Sequence, residues 1–140
     1  MAKIVIDANV IISAAFGGKP LEAVVRAMEK HEVYLSEAVE RELRGVISGL
    51  SKKLSKDQMV FLEEKMQQLL THARRVSVST HLALSRDAKD DHYLFLCKAA
   101  RADFLISGDK DLLSVSEERL RKNGISCRII TPREFVENVP

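Results

Sequence analysis

Apolar residues in this chain fall in short β-branched runs separated by longer stretches of helical period. Lys3-Ile4-Val5-Ile6 is the first run, Val33-Tyr34-Leu35 the second and Asp103-Phe104-Leu105-Ile106 another. Brief, nearly continuous apolar runs suit strands covered on both faces. Arg75-Val76-Ser77-Val78 alternates instead, which predicts a short strand toward an edge, and Ser126 to Ile130 predicts the last strand.

The intervening stretches read as helices. Val10 to Phe16 predicts a turn or two, broken by Gly17-Gly18 and Pro20. Leu21, Val24, Val25 and Met28 then mark a helix over 20–30. Ser36, with Glu37 and Glu40 behind it, is a helix start. The helix it opens spans 37–49, buries Val39, Leu43, Val46 and Ile47, and ends at Gly49. A polar, basic linker from Ser51 to Ser55 leads into a stripe of Met59, Leu62, Met66, Leu69 and Leu70, its methionines read as core filler. Tyr93, Leu94, Leu96, Cys97, Ala99 and Ala100 mark a further helix. Residues 111–122 predict one more, stopping at Asn123-Gly124, and Thr131-Pro132 opens a terminal helix with Glu134, Phe135 and Val136. Strands alternating with helices predict an α/β fold with a mostly parallel sheet and right-handed crossovers.

At 140 residues the chain is expected to form one domain over 1–140. Its 46% hydrophobic and 30% charged content is that of an ordinary globule. Its apolar runs fall short of the roughly 20 residues a bilayer span needs. The stretch after Lys3 is too short for a signal peptide, so a cytoplasmic protein with no membrane contact is expected. Cys97 and Cys127 lack any motif and read as buried thiols. A net charge of +2 does not by itself argue for nucleic acid. The local clusters, Lys52-Lys53-Lys56, Arg74-Arg75 and Arg119-Arg121-Lys122, read first as solvated helix ends or loops.

The acids change that picture. Asp7 stands where the first strand ends, and ligands of open parallel sheets gather beyond the carboxyl ends of the strands. A helix cap explains Asp7 or Asn9 equally well in isolation. Glu42 lies beside Leu43 on the edge of its helix's apolar face, where it can lean toward the same sheet end, whereas Glu37 and Glu40 read as solvated partners of Arg41 and Arg44. Asp87, Asp90 and Asp91 crowd a loop that runs straight into a helix, more acid than a cap requires. Such crowding raises carboxyl pKa values and costs stability unless a cation offsets it. The spacing to Leu94 selects Asp90 for the site and leaves Asp91 on the helix surface. Ser107-Gly108-Asp109-Lys110-Asp111 places acids past another strand, with Asp111 equally readable as a cap. In a parallel sheet Asp7, Asp90 and Asp109 converge, and Glu42 joins them.

Oxygen donors of this kind suit Mg²⁺ or Mn²⁺. Zinc is not favoured, because His31, His72, His81 and His92 show no pairing pattern with the cysteines. His92 reads as a support for the acids or as a surface residue. An open carboxylate site with divalent cations fits phosphodiester hydrolysis. A Ser-His-Asp arrangement, a Gly-rich phosphate loop and a dinucleotide fingerprint are all missing from the chain.

Over essentially its full length the chain resembles the PIN-domain nucleases, in particular the bacterial and archaeal branch of toxin components of toxin–antitoxin pairs. The residues that carry the resemblance are Ile-Asp-Ala-Asn-Val (Asp7, Asn9), Glu-Arg-Glu-Leu (Glu42), Arg-Asp-Ala-Lys-Asp-Asp-His-Tyr-Leu (Asp87, Asp90) and Ile-Ser-Gly-Asp-Lys-Asp-Leu-Leu (Ser107, Asp109, Asp111). The resemblance implies a Rossmann-like α/β/α sandwich and Mg²⁺- or Mn²⁺-dependent cleavage of single-stranded RNA. Asp7, Glu42, Asp90 and Asp109 would be the catalytic, metal-holding acids, supported by Asn9, Ser107 and Asp111. It further implies a small antitoxin protein as partner and a homodimer. Ala88-Lys89 departs from the Pro-Asp that similar proteins often carry, and Lys89 lowers the local negative charge.

Three alternatives compete. An Asp-nucleophile phosphatase usually carries Asp-x-Asp at the first strand, but Asn9 holds the second place here and cannot act as an acid. A receiver-like phosphoacceptor would want a late phosphate-binding lysine where Ser107-Gly108-Asp109 stands. A catalytically idle RNA-binding module would gain affinity from Lys and Arg, not from clustered carboxylates.

Overall fold

A computed structural model describes residues 1–78 and 91–140. Among these residues five parallel strands form one sheet in the order β3-β2-β1-β4-β5. They are β1 (Lys3–Ile6), β2 (Glu32–Leu35), β3 (Arg74–Arg75), β4 (Phe104–Ile106) and β5 (Arg128–Ile130). The β-branched runs are buried as their composition demands, with Ile4, Val5, Ile6, Leu105 and Ile106 all essentially inaccessible. In this α/β fold the chain moves one way from β1 to β2 and β3, then crosses back to β4 on the other side of β1. The switch point of the sheet is therefore the gap between β1 and β4, where ligands of such sheets bind. The register pairs Ile6 with Ile106, so the residues that follow, Asp7 and Ser107, stand at one level beside that gap.

β1 is followed by α1 (Ala8–Ser13) and a 3₁₀ turn (Ala14–Phe16), then α2 (Gly18–Lys30). Gly17 has φ 79° and ψ −156°, a conformation open essentially only to glycine, and it turns the chain back so that α2 packs on α1. The helix expected over 20–30 consequently starts two residues earlier. α3 (Glu37–Gly49) is capped by Ser36 and buries Val39, Leu43 and Ile47, while α4 (Lys56–His72) begins with a capping box between Ser55 and Gln58. Met59 and Met66 pack partly buried against the core, the filling role their flexible side chains suggested.

After β3 the chain returns in α5 (Asp91–Ala100), which packs across β1, β2 and β4. The single helix expected over 111–122 is two, α6 (Lys110–Leu113) and α7 (Glu117–Lys122). The break falls where Ser116 accepts the amide of Arg119 and restarts the helix as its cap. α8 (Pro132–Asn138) closes the chain with a capping box between Thr131 and Glu134. The edge strand expected over Arg75 to Val78 is only Arg74–Arg75, and the last strand is Arg128–Ile130.

Cys97 and Cys127 are both buried and unpaired, but they are not independent. Their thiols are neighbours, and burial, with Cys127 adding to it, pushes the Cys97 thiol up. Glu40, expected to be solvated, is mostly covered instead: Arg44 and Arg75 both pair with it and hold its carboxyl below the usual value. That ion pair ties α3 to the edge strand β3. Glu37 does pair with Arg41 in the open, at 3.3 Å. Among the described residues no helix is long and apolar enough to cross a membrane.

Candidate active site

Asp7 ends β1 and is almost wholly buried, at 2% exposure. Its two oxygens have separate tasks. Oδ1 accepts the amide of Asn9 at 3.0 Å and so caps α1, while Oδ2 accepts the hydroxyl of Ser107 at 2.8 Å. The cap that competed with a site role is therefore real, but it occupies only one oxygen.

Ser107, fully buried at the end of β4, links two acids. Its Oγ donates to Asp7 and accepts the amide of Asp109 at 3.0 Å. Asp109 in turn caps α6, accepting the amide of Asp111 on Oδ1 at 2.8 Å. The cap of α6 is Asp109, so Asp111 does not hold that role. Asn9 is exposed at the start of α1.

Glu42 reaches the same sheet end from α3, as its place on the edge of the apolar face suggested. Its Oε2 accepts the hydroxyl of Tyr93 and lies within hydrogen-bonding distance of His92 Nε2, both at 2.9 Å. Tyr93 Oη also accepts the amide of Ala8 at 2.9 Å, which brings it beside the Asp7 carboxylate. The tyrosine thus sits between β1 and α3. A position that looked like one more member of the apolar face of α5 is a polar junction. A buried tyrosine among Leu, Cys and Ala must find a hydrogen-bond partner, and that was the available signal. His92 supports Glu42, and its other ring nitrogen, Nδ1, is buried without a partner among the described residues.

Burial and the Glu42 charge raise the Asp7 carboxyl above its usual range, while the hydrogen bonds from Asn9 and Ser107 pull against them without overcoming them. Glu42 goes the other way: the bond from His92, and then Tyr93, holds it below the usual value despite partial burial. The Tyr93 hydroxyl is pushed well up by burial and by its two carboxylate neighbours, so it remains a donor at any physiological pH.

Asp87, Lys89 and Asp90 lie outside the described residues. Asp91, expected on the helix surface, is buried at 7% exposure in the first turn of α5. The helix enters the molecule with its leading acid turned inward, so spacing to Leu94 alone did not separate the two neighbouring acids. Among the described residues no three His, Cys, Asp or Glu side chains come together closely enough to hold a metal ion by themselves. Asp7 and Asp109, joined through Ser107, and Glu42, whose charge acts on Asp7, are hard oxygen donors of the kind Mg²⁺ and Mn²⁺ take.

A PIN-domain family model matches residues 3–111, which includes Asp7, Glu42, Ser107 and Asp109. The chain belongs to the PIN-domain family. Its fold is similar to that of PAE2754 from Pyrobaculum aerophilum, with a TM-score of 0.62 at 12% identity over 97% of this chain and 88% of that one. It is also similar to VapBC2 from Rickettsia felis, solved bound to a DNA fragment from the promoter, with a TM-score of 0.57 at 12% identity over 92% and 98% of the two chains. At this identity what is shared is the PIN fold, an α/β sandwich with strand order 3-2-1-4-5. No curated protein sequence matches the chain.

Proposed function

We propose that this PIN domain is a Mg²⁺- or Mn²⁺-dependent endoribonuclease that cleaves single-stranded RNA. In this reading Asp7, Glu42, Asp90 and Asp109 hold the metal, and Asn9, Ser107 and Asp111 support them. The observation that carries it is Asp7: a carboxylate buried at the sheet's switch point, its pKa raised and another acid as its charged neighbour. Placing an uncompensated charge there costs stability, and a site that binds a cation is the usual reason to bear that cost.

Each residue then has a distinct task. Asp7 keeps one oxygen on the α1 cap, and this fixes the direction of the other. Ser107 holds Asp7 and Asp109 in a set relation through one hydroxyl. Tyr93 and His92 orient Glu42 and keep it ionised. A bound divalent cation would polarise the scissile phosphate and lower the pKa of an attacking water.

The VapBC2 likeness supports a partner as well. We propose that the chain is the toxin of a toxin–antitoxin pair, held inactive by a small antitoxin protein, and that it forms a homodimer. The test of the activity is incubation of purified protein with labelled single-stranded RNA and Mn²⁺, beside an EDTA control and the Asp90→Asn variant. Cleavage lost in both controls is expected. Cleavage that survives both belongs to a contaminant and removes the support for this function.

A further inference from the structure

We infer a nucleobase subsite at Phe16, the stacking platform at the far end of a track that runs along α1 from the groove beside the carboxylates; Phe16 itself does not line that groove. This rests on the ribonuclease reading for its substrate, but it stands on different residues. The groove, of about 390 Å³, is lined by Asn9, Val10, Ser13, Pro20, Asp109 and Pro132, together with Gly108. It begins where the acids are, since Asn9 and Asp109 belong to both. Apolar walls with a few polar groups are what a base and its ribose require.

Asn9, Ser13 and Phe16 follow at helical spacing, so they line one face of α1 and the 3₁₀ turn, and all three are exposed. Phe16 is 64% exposed and is the one aromatic among the exposed large apolar side chains of the described residues. The turn at Gly17 and Gly18, both with positive φ, brings α2 back onto α1 and brings Pro20 into the same groove as Ser13. From Asn9 to Phe16 the helix rises about 10–12 Å. That is about three nucleotides at the roughly 3.4 Å spacing of stacked bases.

Exposed Lys110 and Arg133 directly follow the lining residues Asp109 and Pro132, which brings positive charge for the phosphates close to the acids. An exposed aromatic ring beside such a track is the usual means of holding single-stranded nucleic acid without reading its sequence. A duplex cannot use it, because its bases are already stacked on one another.

The experiment has two readouts. In the first, cleavage of a labelled oligouridylate in Mn²⁺ is compared for wild type, Phe16→Ala and Phe16→Tyr. Phe16→Ala is expected to raise KM about tenfold, the size of one base–aromatic stack, with kcat little changed, and Phe16→Tyr to restore KM. In the second, Phe16→Trp introduces the only tryptophan of the chain, and its emission is followed in EDTA, where no cleavage can occur. Saturable quenching by the oligouridylate but not by duplex RNA is expected. Cleavage with an unchanged KM for Phe16→Ala and no quenching overturns the subsite and leaves the ribonuclease standing. Quenching without cleavage by the wild type supports the subsite and counts against the ribonuclease. Neither quenching nor cleavage overturns both.

Discussion

Tyr93 donates its hydroxyl to Glu42 Oε2 at 2.9 Å and, through the same oxygen, accepts the amide of Ala8 at the foot of α1. One buried hydroxyl therefore couples the helix acid to the strand that carries Asp7. The ring itself contributes packing to the core, so ring and hydroxyl can be tested separately.

Tyr93→Phe keeps the packing and removes only the junction. The Ala8 amide is left buried without its acceptor, and Glu42 keeps only His92 of its two partners. We expect a loss of about 1–2 kcal/mol in urea unfolding. Divalent-metal affinity is expected to fall about 10–100-fold, as when the support of a ligating group is removed. Calorimetric titration with Mn²⁺ separates this from plain destabilisation, since a purely structural tyrosine would leave the affinity of the folded fraction unchanged.

Asp7→Asn should change stability and function in opposite directions. Burial holds the Asp7 carboxyl above its unfolded value of 3.8, with Glu42 adding to the shift. Stability favouring the protonated form is thus complete below that value and is lost as pH rises through the folded one. At neutral pH without metal the ionised group is a net cost. A neutral Asn retains an oxygen for the Asn9 amide, so in EDTA the variant is expected to be more stable by about 1 kcal/mol. A urea midpoint at pH 7 checks this, and a lower midpoint would mean that the charge is already compensated.

The other end of the sheet has a pH dependence of its own. His31 accepts the amide of Ala2 on Nδ1 at 2.9 Å, and its Nε2 meets the backbone oxygen of Pro140 at 2.9 Å, with the edge of the ring pair shared with Phe135. A protonated ring cannot accept the Ala2 amide. Burial holds the pKa below its usual 6.5, and the N-terminus, Arg26 and Lys30 push the same way against the Pro140 contact. The stabilisation is complete above pH 6.5 and declines as pH falls below it. His31→Gln is expected to be less stable at pH 7.5 and to show a flatter fall in melting temperature from pH 6.5 to 5.

The strands and the sheet-end acids were legible because one physical constraint marks each of them. Ile4, Val5 and Ile6 must be covered on both faces, and the residue after them, Asp7, must then stand at the strand end. Glu42 was legible from its helical angle relative to Leu43. What the pattern missed depends on long-range partners. Asp90 and Asp91 are neighbours in sequence, and only packing of α5 on the sheet shows that Asp91 turns inward. Glu40 finds Arg75 across 35 positions, and Cys97 meets Cys127 across 30, pairings that periodicity cannot report. The split of 111–122 followed from Ser116, whose side chain competes for the backbone in a stretch with an otherwise helical pattern.

Mn²⁺ binding is the direct test of the proposal that Asp7, Glu42, Asp90 and Asp109 hold a divalent cation. Electron paramagnetic resonance would count free Mn²⁺ as wild type, Asp7→Asn and a surface control, Glu117→Gln, are titrated at pH 7. Saturable binding is expected in wild type and control, and its loss in Asp7→Asn while the fold persists. Equal binding in all three proteins would contradict the proposal.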